Sequence, residues 1–446
     1  MSSSNEMGTK PIPELLIKQA IPAAVGILVL SIYLIVDTIF VGRYVGQLGI
    51  AAISVVMPIT FLISAVGMSI GVGGASIIAR AFGSNEPEKA QRTFGNQLTL
   101  LLVLVLGFAF VGFLLEQPLL KLFGGNGDIM PYAIDYFRIL LPATPLLGFI
   151  MLANNVLRAE GKPTVAMMAM LIPAIVNVIL DPIFIAYLDW GIKGAAWATV
   201  FSYIGSAGYL FYFIVSGKSE LKIQTKYLKL ELPILKEIGS LGGITLARQG
   251  TASILAIVLN NSLFQYGGET SVAVYGIVSR MMMFAFFPVF GITQGFLPIA
   301  GFNFGAKKAD RVRKVIKTAL LYGTGLALII YFCLMFFAKE ITLIFTTEAD
   351  LIAQTPIALI WIFLATPFLT LQLIGSAYFQ AIGKALPGLL LTLTRQFFFL
   401  IPLIFILPKF FGLNGIWYAF PLSDLTSALI TAFFFKRGVD KTLKFE

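Results

Sequence analysis

Residues 14–41 read ELLIKQAIPAAVGILVLSIYLIVDTIFV, an apolar run long enough to cross a bilayer, with one carboxylate, Asp37, alone near its far end. A span needs about 20 mostly apolar residues as a helix, whereas a barrel strand needs only about 10 with strict alternation, so this run is read as a transmembrane helix. Eleven more runs of the same kind follow, at approximately 48–80, 93–116, 130–156, 163–188, 191–216, 234–266, 270–302, 314–338, 352–380, 386–408 and 413–436. The composition agrees: 58% hydrophobic and 12% charged residues, with a mean hydropathy of +0.90, lie far from the roughly one-quarter charged make-up of soluble domains.

The run repeats. A shift of 222 residues pairs Tyr44 with Tyr266, Phe82-Gly83 with Phe304-Gly305, Pro145 with Pro367 and Gly161-Lys162 with Gly383-Lys384; a shift of 221 pairs Gly191 and Gly194 with Gly412 and Gly415. Six spans per copy is an even number, so both copies enter the membrane in the same sense. The expected fold is an all-α membrane protein with twelve transmembrane helices in two parallel-related six-helix lobes, residues 1–218 and 219–446. The lysine-rich stretch from Ser216 to Lys236 is the expected bridge between them.

The repeat also isolates chemistry. The same shift carries Asp37 onto Leu259 and Asp181 onto Leu403, so each carboxylate exists in one copy only. A charged Asp at mid-span costs roughly 2.5–3.5 kcal/mol on insertion scales, and a scaffold that does without both in its second half retains them in the first for another reason. Asn177 and Asp181 are four apart and share one helix face. Pro182 follows and frees the carbonyl of Val178, giving an oxygen-rich turn suited to a hard monovalent ion or a protonated network. Asp37 has Tyr33 one turn before it. Two close carboxylates resist ionising together, the property that lets a site take up and release a proton or sodium ion. The plainer alternative is that each aspartate accepts hydrogen bonds from neighbouring hydroxyls and fixes helix packing.

The formal charge of +10 is a topology signal. Of 32 basic residues, 23 lie in the termini and even-numbered loops with their adjoining helix ends, six on the opposite side and three within spans, which places both termini in the cytoplasm by the positive-inside rule and leaves no nucleic-acid patch. The chain has no histidine, which removes histidine metal sites and proton relays, and its one cysteine, Cys333, cannot form an intrachain disulfide. The polar segment from Met1 to Lys18 shows no cleavage pattern of a removable signal peptide. Gly71, Gly73 and Gly74 resemble a fragment of a phosphate loop, but lie in a span without a following Lys-Ser or Lys-Thr, so close helix packing is the reading. In the second copy Arg248, Arg280 and Arg395 lie within spans, and Asp424 is expected to pair with one of them.

With Val36-Asp37-Thr38-Ile39-Phe40-Val41-Gly42-Arg43 in the first span, Asn177 to Asp181-Pro182 in the fifth and Thr199 in the sixth, the chain resembles the multidrug and toxic compound extrusion family, and within it the DinF-like branch, over essentially its whole length. That resemblance implies a cation-coupling site at Asp37, Asn177, Asp181 and Thr199, beside Tyr33, which would hold Na+ or H+. It also implies export of cationic or amphipathic small molecules. The seventh and tenth spans carry no Asp or Glu in their interiors, unlike the family's other main branch. Candidate substrate-cavity residues are Asn154, Gln249, Arg280 and Met281, and candidate hinges are Pro22 and Pro182.

The expected function is therefore a secondary antiporter in a prokaryotic inner membrane, monomeric and without a cofactor beyond its coupling ion. The alternative is a lipid-linked oligosaccharide flippase of the same superfamily, which would want a cationic cavity for a pyrophosphate. A major-facilitator transporter would show a charged Asp-Arg pattern where this chain has Arg80-Ala81-Phe82-Gly83-Ser84, and an enzyme would show a nucleophile or metal motif.

Overall fold

A computed structural model describes residues 3–444. Among them, eleven continuous helical stretches are long and apolar enough to span a membrane. One, Leu232–Gly305, has 74 residues. At 1.5 Å per residue it would be about 110 Å long, more than three times a hydrocarbon core of about 30 Å. It is in fact two helices, because Gly268 breaks it with φ 64° and ψ −163°. The twelve spans are α1 (Ile12–Tyr44), α2 (Gln47–Gly83), α3 (Pro87–Leu114), α4 (Ile129–Ala159), α5 (Pro163–Tyr187), α6 (Gly191–Val215), α7 and α8 (232–267 and 269–305), α9 (Ala309–Phe336), α10 (Ala349–Ala381), α11 (Ala385–Phe411) and α12 (Leu413–Thr442).

The duplication is written into the backbone. Positive φ recurs at Gly46 and Gly268, at Asn85 and Lys307, and at Gly161 and Gly383, each pair 222 apart, and at Gly191 and Gly412, which are 221 apart. A tight reversal between spans needs a left-handed residue, which is why the glycine spacing in the sequence tracks the ends of helices. The fourth span of each copy is interrupted by a 3-10 turn next to the repeated proline, Leu141–Ala143 before Pro145 and Thr366–Phe368 around Pro367. Each fifth span contains a π-helical turn, Pro182–Tyr187 and Thr394–Leu400. Two short helices not expected from the sequence, Glu116–Leu122 and Ala338–Phe345, follow the third span of each copy. Arg138 donates to both carboxylate oxygens of Glu116, at 2.8 and 3.0 Å, and so ties the first of them to α4.

Packing separates the chain into two compact units, one made of Met1–Met7 and Val25–Thr245, the other of Gly8–Ala24 and Leu246–Glu446. Within the first, glycines set the helix spacing: a Cβ on Gly71 would lie 2.9 Å from Leu152 Cα, and one on Gly73 only 2.4 Å from the Ile238 carbonyl oxygen. The Gly71–Gly74 cluster thus serves close helix packing. Within the second, Ile12, Leu15, Leu16 and Ala20 pack with Ile292, Phe296 and Ile299. Large apolar side chains such as Phe110, Phe113 and Phe336 point outward from the helices, as a lipid-facing surface requires.

The segment joining α6 to α7 is strapped along α3. Gln91 donates to the Glu220 carbonyl at 2.9 Å and accepts from the Lys222 amide at 3.1 Å, Asn96 accepts from the Glu231 amide at 2.7 Å, and Thr99 donates to the Leu228 carbonyl at 2.8 Å. Glu160, fully buried just beyond α4, accepts from Ser219 Oγ at 2.6 Å and from the Leu221 amide at 2.8 Å. Burial pushes the Glu160 carboxyl above its ordinary range, against the two hydrogen bonds that favour its charged form. The stability it contributes is therefore fully present below the ordinary glutamate range and is lost as pH rises through the raised native value. Hydrogen exchange at the Leu221 amide, corrected for its intrinsic rate, should show protection falling with rising pH in the native chain and a flat profile in Glu160→Gln. Equal slopes in both would remove Glu160 as the cause.

Candidate functional site

Three helices of the first unit bring together the residues singled out in the sequence. Tyr33 and Asp37 lie one turn apart on α1, Asn177 and Asp181 one turn apart on α5, and Thr199 on α6. All five are buried, Asn177 and Asp181 completely. The Asp37 and Asp181 carboxyls lie close enough to act on each other electrostatically. Asn177 Nδ2 lies 3.4 Å from Thr199 Oγ1, which in turn donates to the Ala195 carbonyl at 3.0 Å.

Local sequence explains how the helices come this close. Asp181 ends the α-helical part of α5, and Pro182, lacking an N–H, starts the wider π turn. A Cβ on Gly194 would lie 2.6 Å from the Phe184 carbonyl oxygen, so glycine lets the start of α6 rest against that turn. Ser206 Oγ bonds the Ala169 carbonyl at 2.6 Å and fixes α6 to α5 further along.

Two site residues were not anticipated. Tyr136 on α4 is buried near Thr199, and Tyr203, one turn beyond Thr199 on α6, lies near the Asp37 carboxyl. With Tyr33 they place three phenols near the two carboxyls. Tyr203 was available in the sequence from its four-residue offset to Thr199; Tyr136 had no local signal, because α4 reaches the site only through tertiary packing.

Four buried oxygens here have no hydrogen-bond partner: Asp37 Oδ1, Asp181 Oδ1 and Oδ2, and Asn177 Oδ1. Neither carboxyl forms an ion pair with a lysine or arginine among the described residues. A buried acceptor without a donor costs about 1–3 kcal/mol, more when charged, so this is an oxygen cluster made for a proton or a small hard cation. Hard monovalent chemistry fits the donor set of carboxylate, amide and hydroxyl oxygens, with no nitrogen or sulfur ligand among the five residues.

The remaining candidates fall elsewhere. Asn154 has both amide groups engaged, Nδ2 to the Ala166 carbonyl at 2.6 Å and Oδ1 from Arg158 Nε at 3.1 Å. Met281 is buried in the apolar core of the second unit, and Gln249 and Arg280 are exposed. α1 continues as a helix through Pro22. In the second unit Arg395, on the π turn of α11, pairs with Asp424 of α12; Ser423 Oγ bonds the Arg395 carbonyl at 2.6 Å and Gln372 Nε2 the Asp424 carbonyl at 2.8 Å.

Comparison with known proteins follows the same two halves. The MatE family profile matches residues 22–183 and 249–406. Multidrug export protein MepA of Staphylococcus haemolyticus (strain JCSC1435) is 27% identical over 418 residues, covering 93% of this chain and 91% of that one. An FAD transporter of Shewanella oneidensis (strain MR-1) is 24% identical over 432 residues, covering 95% and 94%. A crystal structure of MATE in complex with MaL6 superposes with a TM-score of 0.93 at 25% identity over the full length of both chains. Matched in both repeats, the chain belongs to the MatE family and is a multi-pass membrane transporter, not an enzyme.

Proposed function

We propose that this transporter is a secondary antiporter that exports cationic or amphipathic organic molecules in exchange for Na+ or H+, and that Asp37 and Asp181, assisted by Asn177, Thr199 and Tyr33, bind the coupling cation. The observation that carries the reading is the set of four buried oxygens without partners around two facing carboxyls. The export of drugs is taken from relatives named as multidrug exporters, and the DinF-like branch from the first- and fifth-span patterns. The charge distribution supports cytoplasmic termini in a prokaryotic plasma membrane, and a single chain carries the whole proposed cation site, consistent with a monomer.

The chemistry needs no further group. A cation entering between the carboxyls relieves their repulsion and lets α1 and α5 close on each other; its departure restores the repulsion and loosens them. Pro22 and Pro182 are the proposed places where α1 and α5 absorb the change, and Gln249 and Arg280 are proposed substrate contacts. Each charge that crosses supplies roughly 2.3 kcal/mol per 100 mV, enough to sustain about a 50-fold substrate gradient. The flippase reading gains nothing from Arg395, whose charge is already met by Asp424.

Purified protein in liposomes, with a cationic dye inside and separately imposed sodium and proton gradients, tests the proposal. Dye movement should follow one of the two gradients. Movement indifferent to both would exclude antiport.

A further inference from the structure

A second feature of the chain is unrelated to the cation site. In the second unit a groove of about 1040 Å³ lies between the start of α11 and the end of α12. Its walls include Leu386, Leu390, Leu391, Ile430, Phe434 and Phe379. Two threonines also line it, but Thr394 Oγ1 donates to the Leu390 carbonyl at 2.7 Å, and Thr442 Oγ1 is shared between Tyr378 OH at 2.6 Å and the Gly438 carbonyl at 2.7 Å. Their hydroxyls are spent internally, so the walls act as hydrocarbon.

Lys384, Arg437 and Lys441 stand on the same groove, all three exposed. None forms an ion pair among the described residues, and Asp440, next to Lys441 in the chain, pairs with none of them. Arg437 rests its guanidinium over the Phe433 ring at 5.8 Å, which places its charge beside an apolar surface. Three unneutralised cations above a hydrocarbon-walled slot at a helix end describe one kind of occupant: a molecule with acyl chains and an anionic head.

We propose that this groove is a binding site for an anionic phospholipid, its acyl chains along α11 and α12 and its phosphate among Lys384, Arg437 and Lys441. A cationic substrate is repelled by the rim, and a zwitterionic lipid gains the walls without the net charge. Basic residues near a membrane surface each contribute about 1 kcal/mol toward anionic lipid, so three give a preference of at least about tenfold.

The test is native mass spectrometry of the full chain in neutral detergent, titrated with dioleoyl phosphatidylglycerol or dioleoyl phosphatidylcholine, which have identical tails. Phosphatidylglycerol should bind at least about tenfold more tightly. The triple variant Lys384→Gln, Arg437→Gln, Lys441→Gln should bring the two lipids within about twofold, while the triple variant Lys222→Gln, Lys226→Gln, Lys229→Gln keeps the native preference. Glycerol phosphate, which has the head without the tails, should not displace the bound lipid. An equal affinity for both lipids, the same loss in both triple variants, or displacement by glycerol phosphate would each overturn the assignment.

Discussion

Asp37→Asn and Asp181→Asn should each bring ion-driven efflux to the level of empty vesicles, a loss of about 50-fold in sustained gradient per coupled charge at 100 mV. An amide has nearly the shape of the carboxyl it replaces but neither releases a proton nor offers a charge to a sodium ion. The folded protein should tolerate the change. Asp181 is fully buried with both carboxyl oxygens unpartnered, so removing its charge costs no existing hydrogen bond and relieves repulsion against Asp37. Thermal midpoints of the two variants should equal or exceed that of the native chain. This separates the coupling role from the plainer one: aspartates that only fix helix packing would lower the midpoint when changed, and would leave transport per folded molecule intact.

The opposite pattern is expected for Asp424→Ala. Asp424 is buried and meets Arg395, and removing it strands a guanidinium among apolar side chains. Breaking a buried pair by deleting one partner costs about 3–5 kcal/mol, whereas removing both together is far cheaper. The single variant should lose about 3–5 °C in midpoint. The double variant Asp424→Leu, Arg395→Met should recover most of that loss, as Ser423, which bonds the Arg395 carbonyl, keeps the π turn of α11 attached to α12. A double variant as unstable as the single one would show that the helices depend on the ion pair itself.

The two carboxylate pairs show what the sequence makes legible. Asp37 and Asp181 stood out because duplication supplies an internal control: Leu259 and Leu403 occupy the equivalent places, so the scaffold has no need of acid there. The twelve spans were readable for the same physical reason that makes them spans, since hydrocarbon demands long apolar helices whatever their tertiary neighbours. The 74-residue helix was read as two spans, 234–266 and 270–302, from its apolar runs, and the break at Gly268, with its positive φ, falls between them.

What escaped depends on contacts between distant segments. Tyr136 enters the site from α4, 99 residues along the chain from Asp37, and no periodicity within α4 marks it. That Asp424 would find an arginine was expected; that it is Arg395 rather than Arg248 or Arg280 follows from the packing of α12 on α11. The short helix Glu116–Leu122 was not read from the sequence, because seven residues give too few turns for a pattern, and its hold on α4 comes from Arg138. The lysine-rich connection was read only as a bridge between the lobes; that its backbone is bonded to α3 through Gln91, Asn96 and Thr99 was not read. Polar side chains at helical spacing on an otherwise apolar span were the available signal.

Infrared difference spectroscopy of the purified protein tests the cation site most directly, because carboxyl groups absorb differently when protonated, ionised or bound to a metal ion. A pH step, or a sodium step at constant pH, should produce a carboxyl difference band that is missing in Asp37→Asn and in Asp181→Asn and unchanged in a variant of an exposed acid such as Asp440→Asn. The same band at full size in the Asp37→Asn, Asp181→Asn double variant would contradict the claim that these two side chains take up the coupling ion.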